Sequence, residues 1–246
     1  MTGSEPHPRP RRPWLINRAA RLLWRLAADR SYRNVMWLYW VRPRGAFQPV
    51  NDTRPDRYPG IFRFVQTALA DDPLAGHPLV LLSFGCSTGE EVFTLRRYFP
   101  AARIKGVDIN PANIAIGKRR LAEQSDPGIR FECAESTAGE ATGAYDAIFC
   151  MAVLRHGGLG EPGVTRSDHL LRFADFENAV ADFARCLRRG GLLAIAHSNF
   201  RFSDTRTSAD FESVLRMTSP TPLFGPDNRR LPDGGGKVDA VFRKLR

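Results

Sequence analysis

A short run of small residues, Ser83–Gly89, has the composition of a ligand-binding turn. It follows the apolar stretch Leu79–Leu82 and contains Gly85 and Gly89, which let the backbone pass close to a ligand. The next apolar stretch ends on an acid, Asp108, 23 residues after Gly85. A carboxylate in that place can accept hydrogen bonds from the hydroxyls of a ribose. The pattern therefore predicts a β-turn-α-β unit that holds an adenosine-bearing cofactor.

Two carboxylates after the turn, Glu90 and Glu91, distinguish between two classes of cofactor. A dinucleotide fingerprint needs GxGxxG, because the pyrophosphate sits on the helix N-terminus. This chain has Gly85 and Gly89 with three residues between them, and the two acids would repel a pyrophosphate. They are compatible with a ligand that carries an ammonium and a sulfonium. The charges therefore favour S-adenosylmethionine over a nicotinamide dinucleotide.

The elements that must position these residues alternate between strands and helices. This alternation predicts an α/β fold with a doubly wound, Rossmann-like parallel sheet. The predicted strands are Leu79–Ser83, Ile104–Asp108, Ile129–Cys133, Tyr145–Met151 and Leu192–Ala196, and the predicted helices are Ile61–Leu69, Ser87–Phe99, Pro111–Glu123 and Ala174–Leu187.

Local signals set several of these boundaries. Asn110 is predicted to cap the helix that begins at Pro111. The pair Gly190-Gly191 is expected to stop the helix before it. Beyond His197 the pattern weakens, and we expect a helix at Asp210–Met217 and a terminal strand at Ala240–Leu245.

Four segments together resemble the class I S-adenosylmethionine-dependent methyltransferases: SFGCSTGEE, VDIN, FECAES and FCMAVLRH. The resemblance covers roughly residues 60–200. The CSTGEE string is similar in particular to that of the chemotaxis-receptor glutamate methyltransferases. However, Ser83 stands where the broader family usually has an acid, and strand four lacks the Arg-Asn pair of the chemotaxis enzymes. The resemblance implies a Rossmann-like methyltransferase sheet and the cofactor, but not the chemotaxis function.

The resemblance also assigns expected roles at the cofactor site. The turn would cradle the methionine part, Asp108 would hold the ribose, and Ile109 and Glu135 would contact the adenine. Cys150 and Met151 would line the floor under the sulfonium. The full expected set is Ser83, Gly85, Cys86, Ser87, Thr88, Gly89, Glu90, Asp108, Ile109, Glu135, Cys150 and Met151.

Methyl transfer needs a general base only if the acceptor holds a proton at the working pH. His156, just past strand four, is the first candidate for that base, and His197 is the second. Packing or capping is the alternative role for each, and His169 is a weaker candidate. The segment Gly157–Ser167 is expected to be a flexible loop over the acceptor.

The net charge of +10 is concentrated near the N-terminus. Residues 1–60 hold twelve arginines, no lysine and four acids, a balance of +8. We expect a basic, partly disordered and helical extension over 1–59, with an amphipathic helix at Trp14–Arg30, and a cofactor-binding domain over 60–246. The helix could pack on the domain, lie on an anionic membrane surface or contact nucleic acid.

Several classes are disfavoured by the same sequence. The four cysteines include no CxxC pair, which argues against a zinc site and a disulfide framework and suits a reducing cytoplasm. The longest N-terminal apolar run, Val35–Val41, is too short to span a bilayer. We expect a cytoplasmic methyltransferase, peripheral to a membrane if the basic helix binds one, that acts on a small molecule or a protein and needs no metal. A nucleic-acid methyltransferase and a non-catalytic cofactor-binding regulator are the alternatives.

Overall fold

The computed structural model describes residues 53–71, 77–232 and 236–246, with positions 20, 24, 27, 28, 33, 36, 47 and 48. Within these residues seven strands form one sheet in the order β3-β2-β1-β4-β5-β7-β6. Strands β1 to β5 are parallel, whereas β7 is antiparallel to both β5 and β6. The strands are β1 (Val80–Phe84), β2 (Arg103–Asp108), β3 (Ile129–Cys133), β4 (Tyr145–Met151), β5 (Leu187–Ala196), β6 (Phe211–Ser219) and β7 (Gly236–Lys244). The predicted doubly wound α/β fold is confirmed.

Helices cover both faces of this sheet. They are α1 (Pro59–Ala70), α2 (Glu90–Tyr98), α3 (Pro111–Gln124) and α4 (Phe173–Cys186). Successive residues of a strand point to opposite faces. Accordingly, Leu81 packs in the core with residues of α1, α2 and α3, and Leu82 packs with residues of α4. This two-sided burial accounts for the continuously apolar strands, because a parallel sheet with both faces covered has little need for polar positions.

The start of α3 follows the predicted capping pattern. Asn110 Oδ1 accepts a hydrogen bond from the Ala112 amide at 3.0 Å, and Pro111 occupies the first helical position. The predicted cap is confirmed, and it fixes the chain immediately after β2, beside the cofactor site.

The helix predicted at 210–217 is wrong, because these residues belong to β6 and pair antiparallel with β7. Two register shifts, between Ser213 and Leu215 and between Leu215 and Arg216, interrupt the ladder. As a result the neighbours Val214 and Leu215 both pack against the same core cluster. A strand with such bulges loses its simple two-residue alternation, which is the signal that identifies a strand in a sequence.

The predicted role of Gly190-Gly191 as a helix stop is also wrong. Helix α4 ends at Cys186 and β5 begins at Leu187. Tyr145 pairs with Leu187 and Ala147 pairs with Leu192, so β5 carries extra residues in a bulge. Gly190 adopts a φ of 76° there, a conformation that glycine reaches at little cost. The glycines therefore accommodate a bulge in a strand and do not end a helix.

The residues 53–58, which we call the N-terminal strap, lie against α2. The Asp56 amide donates to Thr94 Oγ1 at 3.1 Å, and the Tyr98 hydroxyl donates to Asp56 Oδ1 at 2.9 Å. The helix expected at 14–30 and its membrane or nucleic-acid contacts lie outside the described residues, apart from isolated positions. None of the helices that the structure describes is long and apolar enough to cross a membrane.

Candidate functional site

The carboxyl ends of β1, β2 and β4 meet at one edge of the sheet. Parallel register pairs Phe84 with Val107 and Ser83 with Phe149. The chain continues from β1 to β2 on one side, and β4 and β5 lie on the other. Open α/β sheets bind ligands where the strand order reverses in this way. A cavity lies at this point, and we call it the switch-point cavity; its walls come from the turn after β1, the ends of β2, β3 and β4, and the N-terminal strap.

The turn after β1 depends on two glycines with positive φ. Gly85 has a φ of 72° and Gly89 a φ of 96°. A Cβ at Gly85 would overlap the Val153 side chain, and one at Gly89 would approach Phe131 Cζ to 2.8 Å. These glycines let the turn approach the loop after β4 and the β3 side chains closely. A larger residue at either position would require both strain and displacement.

Asp108 connects the turn to the end of β2. Its Oδ2 accepts from the Ser87 amide at 2.8 Å, and its Oδ1 accepts from the Asn110 amide at 2.8 Å and from Asn113 Nδ2 at 3.3 Å. Burial raises the pKa of Asp108, and the three hydrogen bonds oppose that rise. A carboxylate oxygen has two acceptor sites, so Oδ2 retains one for a further donor.

Glu91 is a cavity residue that was not among the site residues predicted from the sequence. Its Oε1 accepts a hydrogen bond from Ser83 Oγ at 2.8 Å, and its side chain lines the switch-point cavity. Burial raises the pKa of Glu91 to about 7, against the lowering effects of the Ser83 hydrogen bond and the Arg57 charge. Ser83 was the signal in the sequence that could have identified Glu91. A serine stands where related enzymes usually have an acid, and Glu91 lies eight residues further along the chain.

The adjacent acid, Glu90, points elsewhere. It forms an ion pair with Arg120 of α3 at 2.6 Å and accepts from Thr88 Oγ1 at 2.9 Å. Neighbouring residues at the start of a helix face directions about 100° apart. Only one of the two acids can therefore face the cavity, and the packing of α2 places Glu91 there.

The expected cofactor residues divide into two groups. Those that line the cavity are Gly85, Cys86, Ser87, Asp108, Ile109, Glu135 and Met151; those that do not are Ser83, Thr88, Gly89, Glu90 and Cys150. Ser83 contacts the cavity wall indirectly, through Glu91. Cys150 is completely buried in the core on the α4 side. Alternation along β4 explains why Met151 faces the cavity and Cys150 does not.

The three histidines considered for a base all lie outside the cavity lining. His156 Nδ1 accepts from the Gly158 amide at 3.2 Å and caps the 3₁₀ helix Gly157–Gly160. His197 lies with its ring 5.6 Å from that of Tyr58, and its Nδ1 is 3.1 Å from Ser219 Oγ. Burial, together with the charges of Arg155 and Arg57, lowers the pKa of His197. His169 is exposed.

Three polar atoms of the cavity walls lack partners. In the part of the chain that the structure describes, Ser87 Oγ, Gln48 Oε1 and Arg155 Nε are buried without a hydrogen-bond partner. All three residues line the switch-point cavity. Buried polar groups are nearly always hydrogen-bonded, so these atoms point to a ligand that supplies the partners. No group of three or more metal-ligating side chains occurs among the described residues.

Comparison with known proteins identifies the type of domain. A family model described as a methyltransferase domain matches residues 82–195. The chain is 28% identical over 191 residues to the trans-aconitate 2-methyltransferase of Deinococcus radiodurans, covering 72% of this chain and 64% of that protein. It is 26% identical over 210 residues to the ubiquinone biosynthesis O-methyltransferase of Brucella ovis, covering 84% of this chain and 82% of that protein.

Solved structures that are similar include StiE O-MT residues 961–1257, with a TM-score of 0.49 at 18% identity, covering 75% of this chain and 74% of that chain. The [4+2]-cyclase SpnF has a TM-score of 0.48 at 18% identity, covering 79% of this chain and 85% of that chain.

Proposed function

Because this chain carries a class I S-adenosylmethionine-dependent methyltransferase domain, we propose that it transfers the methyl group of that cofactor to a small-molecule acceptor bound at the mouth of the switch-point cavity. The observation that carries the proposal is the meeting of Glu91, Asp108 and the unpartnered Ser87 Oγ on the walls of one cavity. The relatives are named for trans-aconitate and for ubiquinone biosynthesis, which supports a small molecule as the acceptor.

The residues of the cavity fit the cofactor chemically. Glu91 offers a carboxylate to the ammonium group of the cofactor. It replaces the acid that is absent at Ser83, to which it is hydrogen-bonded. Asp108 offers the remaining acceptor site of Oδ2 to a ribose hydroxyl, and Ile109 and Glu135 lie beside it for the adenine. Ser87 Oγ would gain the hydrogen-bond partner that it lacks.

When bound, S-adenosylmethionine supplies a methyl group that is already activated by the sulfonium. The protein then has to align the acceptor with that methyl group and to exclude water. Tyr58, Phe62, Met151 and Val153 in the cavity lining provide apolar surface for this task. The N-terminal strap, attached to α2 through Asp56, covers the same space.

The geometry does not favour a histidine as the base that removes a proton from the acceptor. His156 Nδ1 is already the acceptor of a capping hydrogen bond, and neither His156 nor His197 lines the cavity. We therefore propose that the acceptor presents a nucleophile that is deprotonated at neutral pH or loses its proton to water. His156, predicted as a base from its position, and Ser83, Thr88, Gly89, Glu90 and Cys150, assigned to the cofactor site by the resemblance, would then have structural roles.

Two measurements test this function. Calorimetry should detect binding of S-adenosylmethionine and of its demethylated product, and the variant Asp108→Ala should bind both much more weakly. Labelled methyl groups should then appear on trans-aconitate or on another small molecule from a cell extract. A chain that binds neither form of the cofactor would refute the proposal, as would labelling of protein or nucleic acid alone.

A further inference from the structure

Acidic and basic side chains both line the switch-point cavity. The lining includes the acids Asp56, Glu91, Asp108 and Glu135 and the arginines Arg54, Arg57 and Arg155. The ammonium and sulfonium of the cofactor match the acids, and its single carboxylate needs only one of the three guanidinium groups. The remaining guanidinium charge therefore calls for a second anionic partner.

Among the arginines of this lining, Arg155 is the one with a buried atom that lacks a partner within the described part of the chain, whereas Arg54 is exposed. Its side chain is half-buried, and its Nε atom is buried with no hydrogen-bond partner among the residues that the structure describes. Burying part of a charged group without a partner is costly. A planar anion that accepts from the guanidinium edge would remove this cost, since Arg binds carboxylates with two parallel hydrogen bonds.

Arg155 and Arg57 line the same cavity and act on the same neighbouring residue. Arg155 and Arg57 both lower the pKa of His197, whose ring lies 5.6 Å from that of Tyr58. Arg57 also lowers the pKa of Glu91, which lies at the methionine end of the cavity. Arg57 lines the cavity with its Cζ atom 5.4 Å from the centre of the Tyr58 ring, and we assign it to the carboxylate of the cofactor, which leaves Arg155 for a second anion.

We propose that the methyl acceptor carries a carboxylate and that Arg155 binds this carboxylate at the mouth of the cavity, with the Tyr58 ring beside it. The inference rests on the proposed function and names the class of acceptor. A carboxylate is favoured over a phosphate dianion, because a single guanidinium edge matches one carboxylate and because Glu91 lines the same cavity. Arg155 is then a specificity-determining residue, and its contact with the acceptor is distinct from cofactor binding.

The first experiment uses the unaltered full chain saturated with the demethylated cofactor. Fumarate and cinnamate are titrated in parallel with fumaramide and cinnamamide, which match them in shape but are uncharged, and with phenyl phosphate. We expect binding of at least one acid about tenfold or more above that of its amide, the difference that one charged hydrogen-bonded pair produces. Equal binding within both pairs, the absence of binding by either acid, or a preference for phenyl phosphate would overturn the proposal.

The second experiment uses Arg155→Gln, Arg155→Lys and the control Arg206→Gln, whose side chain is 93% exposed. Arg155→Gln should lower the affinity for the preferred acid about tenfold and leave affinity for the demethylated cofactor unchanged. Arg155→Lys should restore part of the loss, and Arg206→Gln should have no effect. Loss of cofactor affinity in Arg155→Gln would show instead that Arg155 serves the cofactor's carboxylate.

The two experiments separate this inference from the proposed function. A chain that does not bind the demethylated cofactor at all fails at the first titration, and the function itself is then refuted. A chain that binds the cofactor but does not discriminate acids from amides refutes only the inference. If Arg155→Gln does not fold, the acid and amide pairs on the unaltered chain still decide the question.

Discussion

Ser83 Oγ donates a hydrogen bond to Glu91 Oε1 at 2.8 Å, and this contact joins the end of β1 to the first turn of α2. The pair occupies the place where an acid on the strand would be expected, with the carboxylate supplied by the helix and the hydroxyl by the strand. Burial of this carboxylate raises its pKa to about 7. Burial of Glu91, against the lowering effect of the Ser83 hydrogen bond, is therefore expected to make both the stability of the domain and its affinity for a cationic ligand sensitive to pH near neutrality.

Stability should fall with rising pH because of Glu91. The unfolded chain loses this proton near pH 4.5, whereas the folded chain keeps it until about pH 7. Between these values the folded state binds more protons, so the free energy of unfolding decreases as pH rises. Glu91→Gln should remove this decrease relative to the unaltered chain. Urea unfolding at a series of pH values from about 4.5 to 8 measures the difference.

Glu90→Gln is the matched control for that series, since Glu90 is the adjacent acid and pairs with Arg120 on the other side of α2. Loss of the Glu90–Arg120 ion pair should lower the free energy of unfolding by no more than about 1 kcal/mol, because partly exposed ion pairs contribute little. It should leave the pH dependence intact. Identical pH profiles for Glu91→Gln and the unaltered chain would show that Glu91 does not titrate in this range.

Cofactor binding should release protons below pH 7. A cationic ammonium near Glu91 favours the ionised carboxylate and so lowers its pKa on binding. Just below neutrality the complex should therefore release a fraction of one proton, and affinity should rise as pH increases toward 7. Calorimetry in buffers of different ionisation enthalpy measures the number of protons released. Glu91→Gln should abolish the release, and an unchanged value in that variant would place the ammonium elsewhere.

Asp108→Asn should weaken both stability and cofactor binding. The amide group introduced by this substitution cannot accept from all three donors, and its own N–H would face the donating amide of Ser87 or Asn110. Leaving one buried donor unpaired costs about 1–3 kcal/mol. Thermal unfolding without ligand and calorimetry with the demethylated cofactor separate the two effects. Full stability together with full affinity would contradict the role assigned to Asp108.

Gly85→Ala should distort the turn, because the residue has a φ of 72° and its new Cβ would overlap Val153. The backbone strain alone costs about 1–3 kcal/mol, and cofactor affinity should fall with it. Adding Val153→Ala should recover the steric part of the loss and not the backbone part, which a double-mutant cycle resolves. Gly139→Ala, where a Cβ meets nothing within 4 Å, should leave stability and affinity essentially unchanged.

The amino-acid sequence alone determined the type of fold and the edge of the sheet that carries the site. The alternation of apolar strands with helices indicated a parallel sheet covered on both faces. In such a sheet the turn Ser83–Gly89 and the acid Asp108 meet at the carboxyl ends of β1 and β2. These conclusions follow from local periodicity and from the connectivity of parallel strands. The cap at Asn110 was equally local and equally predictable.

The tertiary structure decided which residue of each adjacent pair faces the cavity. Glu91 lines it and Glu90 does not, and Met151 lines it and Cys150 does not. The rotation of α2 and the register of β4 set these directions, and both depend on packing against residues distant in the chain. Packing also placed His156 in a cap, turned 211–219 into a bulged strand and brought Arg57 and Arg155 to the lining of one cavity. Such outcomes arise from long-range contacts, which have no local pattern in the sequence.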